Sequence, residues 1–173
     1  MNLTENTEEA DKFTEQAKKA LQELAAIEGK KAFVIVLDDL KANAEMVALA
    51  FARSRKHNVD ASFVPIEVNY GRDAVSFYKA FKEADSPENP NQVVIALDGN
   101  LDSGDKYQYG YNVAKEIARI SEENGWVMPF IVGLSNQDDK NQMLANSYKD
   151  FYIASSDKID ILPMLKAVSD KLG

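Results

Sequence analysis

Two apolar runs in this chain end in acid. Val93-Val94-Ile95-Ala96-Leu97 stops at Asp98, and Ala32-Phe33-Val34-Ile35-Val36-Leu37 stops at the pair Asp38-Asp39. Both runs are apolar throughout, as parallel strands buried on two faces are, and a helical pattern follows each. In an open α/β sheet, ligands gather beyond the carboxyl ends of the strands, where strand order reverses. Three carboxylates meeting there repel one another unless a cation or a hydrogen-bond donor joins them. The chemistry that suits them is a divalent metal held beside a nucleophilic oxygen. Each acid also has a plain structural role. Paired acids at a helix N-terminus favour its dipole, and a single acid at a strand end caps or turns the chain.

The elements that must position these acids follow from the hydrophobic periodicity. Strands are expected over residues 32–37, 61–68, 93–97, 127–134 and 151–154, and helices over 42–56, 72–84, 111–124, 138–147 and 159–172. This alternation gives an α/β fold, a five-stranded parallel sheet in a flavodoxin-like (βα)5 doubly wound sandwich with right-handed crossovers. A further helix is expected over residues 5–28, with Asn6 and Glu9 as a capping box and Gly29 as its stop. Phe13, Ala17, Ala20, Leu21, Leu24 and Ile27 line one face of it. That face either packs on its own domain or joins a second copy as a homodimer. The expected division is an N-terminal amphipathic helix over 1–29 and one domain over 30–173.

Composition narrows the function classes. A formal net charge of -8 in 173 residues argues against direct nucleic-acid binding, which needs a basic face. With no cysteine and one histidine, His57, a metal site must rely on oxygen ligands. No apolar stretch has the length of a membrane span, and the acidic start is unlike a signal peptide, so a cytoplasmic protein is expected. His57 lies among Arg53, Arg55 and Lys56, which suits a helix C-terminus better than a ligand site. Trp126 is expected to pack at the sheet end away from the acids. No glycine-rich phosphate loop is present.

The fourth apolar run ends Gly133-Leu134-Ser135-Asn136, placing a hydroxyl at the same sheet end as the acids. Ser135 also suits the N-cap of the next helix. Over residues 31–172, the ordered set Asp38-Asp39, Asp98, Ser135 and Tyr152 resembles the CheY-like receiver domains of two-component response regulators. The stretches Asn69-Tyr70-Gly71-Arg72-Asp73-Ala74 and Pro129-Phe130-Ile131-Val132 look like that family's turn into its second helix and its fourth strand. The resemblance implies that Asp98 is a phosphoacceptor. Asp38, Asp39 and Asp98, with the main-chain carbonyl of Asn100, would hold Mg²⁺. Ser135 would donate to a phosphoryl oxygen, and Tyr152 would be the switch that turns inward. Implied partners are a sensor histidine kinase or phosphotransfer protein and a downstream protein. The role would be signal transduction in a phosphorelay rather than enzymatic turnover.

The chain departs from the pattern at two places. Ser155 and Ser156 stand where the family carries lysine and proline, so the charge that grips the phosphoryl oxygens is missing. Lys106 and Lys158 are the candidate substitutes. The loop after Asp98 is also longer, with its glycine arriving at Gly110. These departures leave a second expectation, a pseudo-receiver binding module that signals without phosphorylation. An aspartate-nucleophile phosphatase fits less well, because Asn100 cannot serve as its acid/base.

Overall fold

The computed structural model describes the main chain of residues 3–101, 104–134, 138–155 and 161–173, and the side chains of 8–101, 104–134, 142–153 and 161–173. In chain order the elements are α1 (Leu3–Ala25), β1 (Lys31–Leu37), α2 (Lys41–Ala52), β2 (Ser62–Val68), α3 (Gly71–Ala84), β3 (Val93–Leu97), α4 (Gly110–Asn124), β4 (Phe130–Gly133), α5 (Asp138–Ser147), β5 (Tyr152–Ser155) and α6 (Leu162–Lys171). The strands form one parallel sheet in the order β2-β1-β3-β4-β5. This is the expected flavodoxin-like order, reversing between β1 and β3.

Side-chain alternation along the strands builds two cores. From β1, Phe33, Ile35 and Leu37 face the layer of α1, α3 and α4, where they meet Phe77, Phe81 and Ile117. Ala32, Val34 and Val36 face the opposite layer, against Val47 and Phe51 of α2 and Leu165 and Val168 of α6. Each residue from Ala32 to Leu37 is therefore buried on one side or the other, which is why that run is continuously apolar. Phe33 and Phe81 stack with ring centroids 4.1 Å apart. Pro65 sits within β2, where an edge strand tolerates a missing donor.

The N-terminal helix belongs to the same core. Ala17, Ala20 and Leu24 of α1 are buried, and Phe13 meets Phe77 of α3 edge-on at 4.6 Å. Full burial of Leu24 alone contributes about 1.5–3 kcal/mol. The Lys31 ammonium donates to the carbonyls of Leu24 and Ile27, at 2.7 and 3.0 Å, placing a cation at the helix C-terminus. Phe13, Leu21 and Ile27 of the same stripe are partly buried against that core.

α1 starts at Leu3, ahead of the expected cap at Asn6, and ends at Ala25, short of the expected stop at Gly29. Three further boundaries differ from expectation, each for a local reason. The helix expected over 42–56 stops at Ala52 and continues as a 3₁₀ turn, Ser54–His57, ending at Asn58 with φ 61. There the Ser54 hydroxyl donates to the carbonyl of Ala61 at 2.6 Å, tying the turn to the next strand. β4 begins at Phe130 rather than 127, because Val127 is exposed to solvent and Pro129 lacks a donor for the ladder. The last helix begins at Leu162, with Pro163 in its first turn.

Candidate metal centre

Register brings the acids together. Leu37 of β1 faces Leu97 of β3, and the Asp98 amide donates to the Leu37 carbonyl at 2.9 Å. Asp38, one residue beyond Leu37, donates its own amide to Val68 of β2 at 3.2 Å. Both acids therefore leave the sheet side by side, where strand order reverses. One carboxylate oxygen from each of Asp38, Asp39 and Asp98 lies within 4.8 Å of the others. Asp38 is fully buried, Asp98 is 8% exposed, and Asp39 is intermediate.

Neighbouring loops fix these positions. Asp38 Oδ1 accepts the Leu40 amide at 3.0 Å, turning the chain into α2. The Asp38 carbonyl accepts from the Asn69 side-chain amide at 2.8 Å, so the loop before α3 clamps the end of β1. Beyond Asp98, the loop closes on itself. Asn100 bridges Tyr109, the Leu101 amide donates to Gln108 at 2.7 Å, and the Gly110 amide donates to Gly99 at 3.2 Å. A Cβ at Gly110 would collide with the main-chain carbonyl of Asp98. The glycine that arrives late in the sequence is thus the residue that lets α4 start against the acid. A Cβ at Gly71 would lie 2.6 Å from Cβ of Tyr107, so the loop rests on the start of α3.

Burial, together with the neighbouring Asp38, raises the Asp39 pKa above its ordinary value. Burial is the main cause, hydrogen bonding with Asp38 and its charge add to it, and a hydrogen bond with Asp98 offsets part. Among the described residues, no cation figures in what sets the Asp39 pKa. All-oxygen donors with a buried member suit Mg²⁺. Two oxygens on opposite sides of that ion lie about 4.2 Å apart, close to the 4.8 Å that spans these three.

The remaining expected residues fall in several places. Asn100 lies at the base of the closed loop, next but one to Asp98. Lys106 lies over the ring of Tyr107, 4.8 Å from its centroid, and its charge acts on Glu116 of α4. Tyr152 is half-buried against the α1, α3 and α4 layer, and its amide donates to Tyr148 at 2.7 Å. Ser155 pairs with Gly133, extending the row Leu37, Leu97, Gly133 across the sheet. A register irregularity in β5 precedes it, because three steps from Tyr152 match two from Ile131. Ser135 and Lys158 lie outside the described residues. His57 is exposed at the end of its turn, and Trp126 meets Tyr78 edge-on at 6.1 Å.

No family model matches the sequence, and no curated protein matches it. The crystal structure of a sensor protein from Polaromonas sp. JS666 matches with a TM-score of 0.51 at 16% identity, covering 80% of this chain and 96% of that one. A de novo designed Rossmann 2x3 fold protein, solved by NMR, matches with a TM-score of 0.47 at 13% identity, covering 84% and 94%. Among the described residues, no helix is long and apolar enough to cross a membrane. The chain shares with the sensor protein a fold, a doubly wound α/β sandwich around a parallel sheet.

Proposed function

We propose that the chain is an atypical receiver, a signalling module that accepts a phosphoryl group on Asp98 and acts through contacts with other proteins. The observation that carries this reading is the convergence of Asp38, Asp39 and Asp98 within 4.8 Å at the strand-order reversal. Asp98 is the nucleophile because it ends the central strand, with α4 starting at its back. Its carboxylate oxygen forms a bond to phosphorus as the bond from phosphorus to the donor's imidazole nitrogen breaks. The product is an acyl phosphate, and the leaving imidazole takes up a proton. Asp38 and Asp39, with the Asn100 carbonyl, would hold Mg²⁺, which when bound neutralises charge as two anionic groups approach. The reaction modifies the protein once per signal and is not turnover.

Intact mass after incubation with Mg²⁺ and acetyl phosphate tests this. A gain of one phosphoryl group is expected, absent with excess EDTA and absent in Asp98→Asn. No gain in a protein that remains folded would remove the proposal.

A second reading, a pseudo-receiver that binds partners without phosphorylation, is favoured by the position of Lys106. Its ammonium stacks on Tyr107 and acts on Glu116, so its charge is engaged along α4. Stable phosphorylation that changes partner affinity would exclude that reading.

A further inference from the structure

Helix α2 is apolar on the side that faces solvent. Its inward residues Ala44, Val47, Ala48 and Phe51 pack on the sheet. A helix with only one face on the core is ordinarily polar on the other. From Met46 to Ala52, however, α2 carries no polar residue at all. Met46 and Leu49 are 43% and 48% exposed, and Leu40, at the N-cap, is 58% exposed. Among the described residues eight large hydrophobic side chains are exposed, and three of them belong to this one helix and its cap. Apolar residues scattered singly over a surface are ordinary, whereas a row of them on one element marks an interaction surface.

The row has the spacing of a helix pair. Ala42, Met46, Leu49 and Arg53 are all exposed and follow one another at intervals of four, three and four residues. That spacing sets them in one line along the helix, the line by which two helices interlock. Charge gives the line a direction. Glu45 flanks it near its start and Arg53 closes it. Within the chain, Glu45 meets only the exposed Lys41 at 3.8 Å, a contact worth little. A second α2 running parallel would set Glu45 against Glu45 and Arg53 against Arg53. A second α2 running antiparallel does the opposite. A two-fold axis midway between Met46 and Leu49 places each Met46 against the other copy's Leu49. The same axis brings each Glu45 within one helical turn of the other copy's Arg53.

We propose that the outer face of α2 is the contact between two copies of this chain, paired antiparallel about that axis. The contact does not depend on whether Asp98 accepts a phosphoryl group. Nor does it involve α1, which packs in the opposite layer of the sheet. One helix pair is small for a stable dimer, so the dissociation constant is on the order of 100 µM. The chain is then a monomer at the few micromolar of an unfolding experiment.

Sedimentation velocity on the full chain, from about 5 µM to about 1 mM, tests this. The weight-average sedimentation coefficient should rise with concentration toward that of a dimer. Leu49→Glu changes an exposed residue and spares the core, so it should fold as wild type by circular dichroism and stay monomeric throughout. Glu45→Arg and Arg53→Glu should each weaken association by about threefold or more. The double variant E45R/R53E, which exchanges the two charges, should restore it. A chain that is monomeric at every concentration would overturn the proposal, and so would association unchanged in Leu49→Glu. A double variant no better than the single ones would overturn the antiparallel pairing.

Discussion

The amide of Asp98 donates to the carbonyl of Leu37 at 2.9 Å, and this bond sets the candidate nucleophile beside Asp38. Because it is a sheet bond between neighbouring strands, the spacing of the two carboxylates is set by the ladder and not by a mobile loop. The ladder keeps the two main chains side by side, so the strands cannot part to relieve the crowding. A proton, a donor or a cation relieves it.

A divalent cation should therefore stabilise the fold. Mg²⁺ at 100 times its dissociation constant should add about 2.7 kcal/mol, read as a rise in Tm over a sample in EDTA. Asp38→Asn and Asp39→Asn should lose most of that rise. An equal Tm in Mg²⁺ and EDTA would argue that the three acids hold no metal.

The raised pKa of Asp39 gives a sign to the pH dependence without metal. Between the ordinary value of 3.8 and the higher value in the fold, the native state binds more protons than the unfolded chain. Stability from this group is thus fully present below 3.8 and is lost as pH rises through the folded value. Urea unfolding in EDTA should show Asp39→Asn more stable than wild type at neutral pH, with the gap closing on acidification. A gap that widens in acid would contradict the crowding.

Gly110→Ala should be costly although it adds one methyl group. That methyl meets the Asp98 carbonyl, so either α4 shifts or the end of β3 does. Overpacking of this kind costs about 1–3 kcal/mol. The same variant should also slow phosphoryl uptake, because the strained carbonyl belongs to the nucleophile. Unfolding and mass measurements on one preparation would check both.

The strands and the acids at their ends are readable from sequence for a physical reason, whereas the strand order rests on the flavodoxin-like pattern. A strand buried on both faces has no polar residue to spare, so Asp38 and Asp98 mark their strand ends sharply. The supports around them were not readable in the same way. Asn69 and Gly110 act on main-chain carbonyls contributed by other strands, which no local pattern encodes. Lys106 was open as a lysine substitute because sequence gives its distance along the chain and not its direction. In the fold it stacks on Tyr107. The break after Ala52 depends on the Ser54 hydroxyl reaching Ala61, which looks like an ordinary polar residue in a helical run.

The N-terminal helix offers a test of packing against association. Leu24 is fully buried in the core shared with β1 and α3. Leu24→Ala should cost about 2–5 kcal/mol with no change in sedimentation coefficient. A stability that depends on protein concentration would instead show that the helix is shared between copies.

Placing a lysine at position 155, where the receiver resemblance would have one, tests the proposed function directly. The main chain of Ser155 lies in the row of Leu37, Leu97 and Gly133, two strands from Asp98 at the same sheet edge. If a lysine there reaches the acids, a phosphoryl group on Asp98 would be its strongest available acceptor. A charge-assisted hydrogen bond contributes about 1.5–3 kcal/mol, so Ser155→Lys should speed phosphoryl uptake by roughly tenfold or more if that bond forms in the transition state. Single-turnover uptake from acetyl phosphate with Mg²⁺ would measure it. Without added phosphodonor, the new ammonium should also ease the crowding, and the stability gap between wild type and Asp39→Asn should shrink in this background. A faster rate would place the defect at the missing charge. An unchanged rate, with the gap reduced, would mean that the lysine reaches the acids but that another feature, such as the bridge between Asn100 and Tyr109, limits access to Asp98.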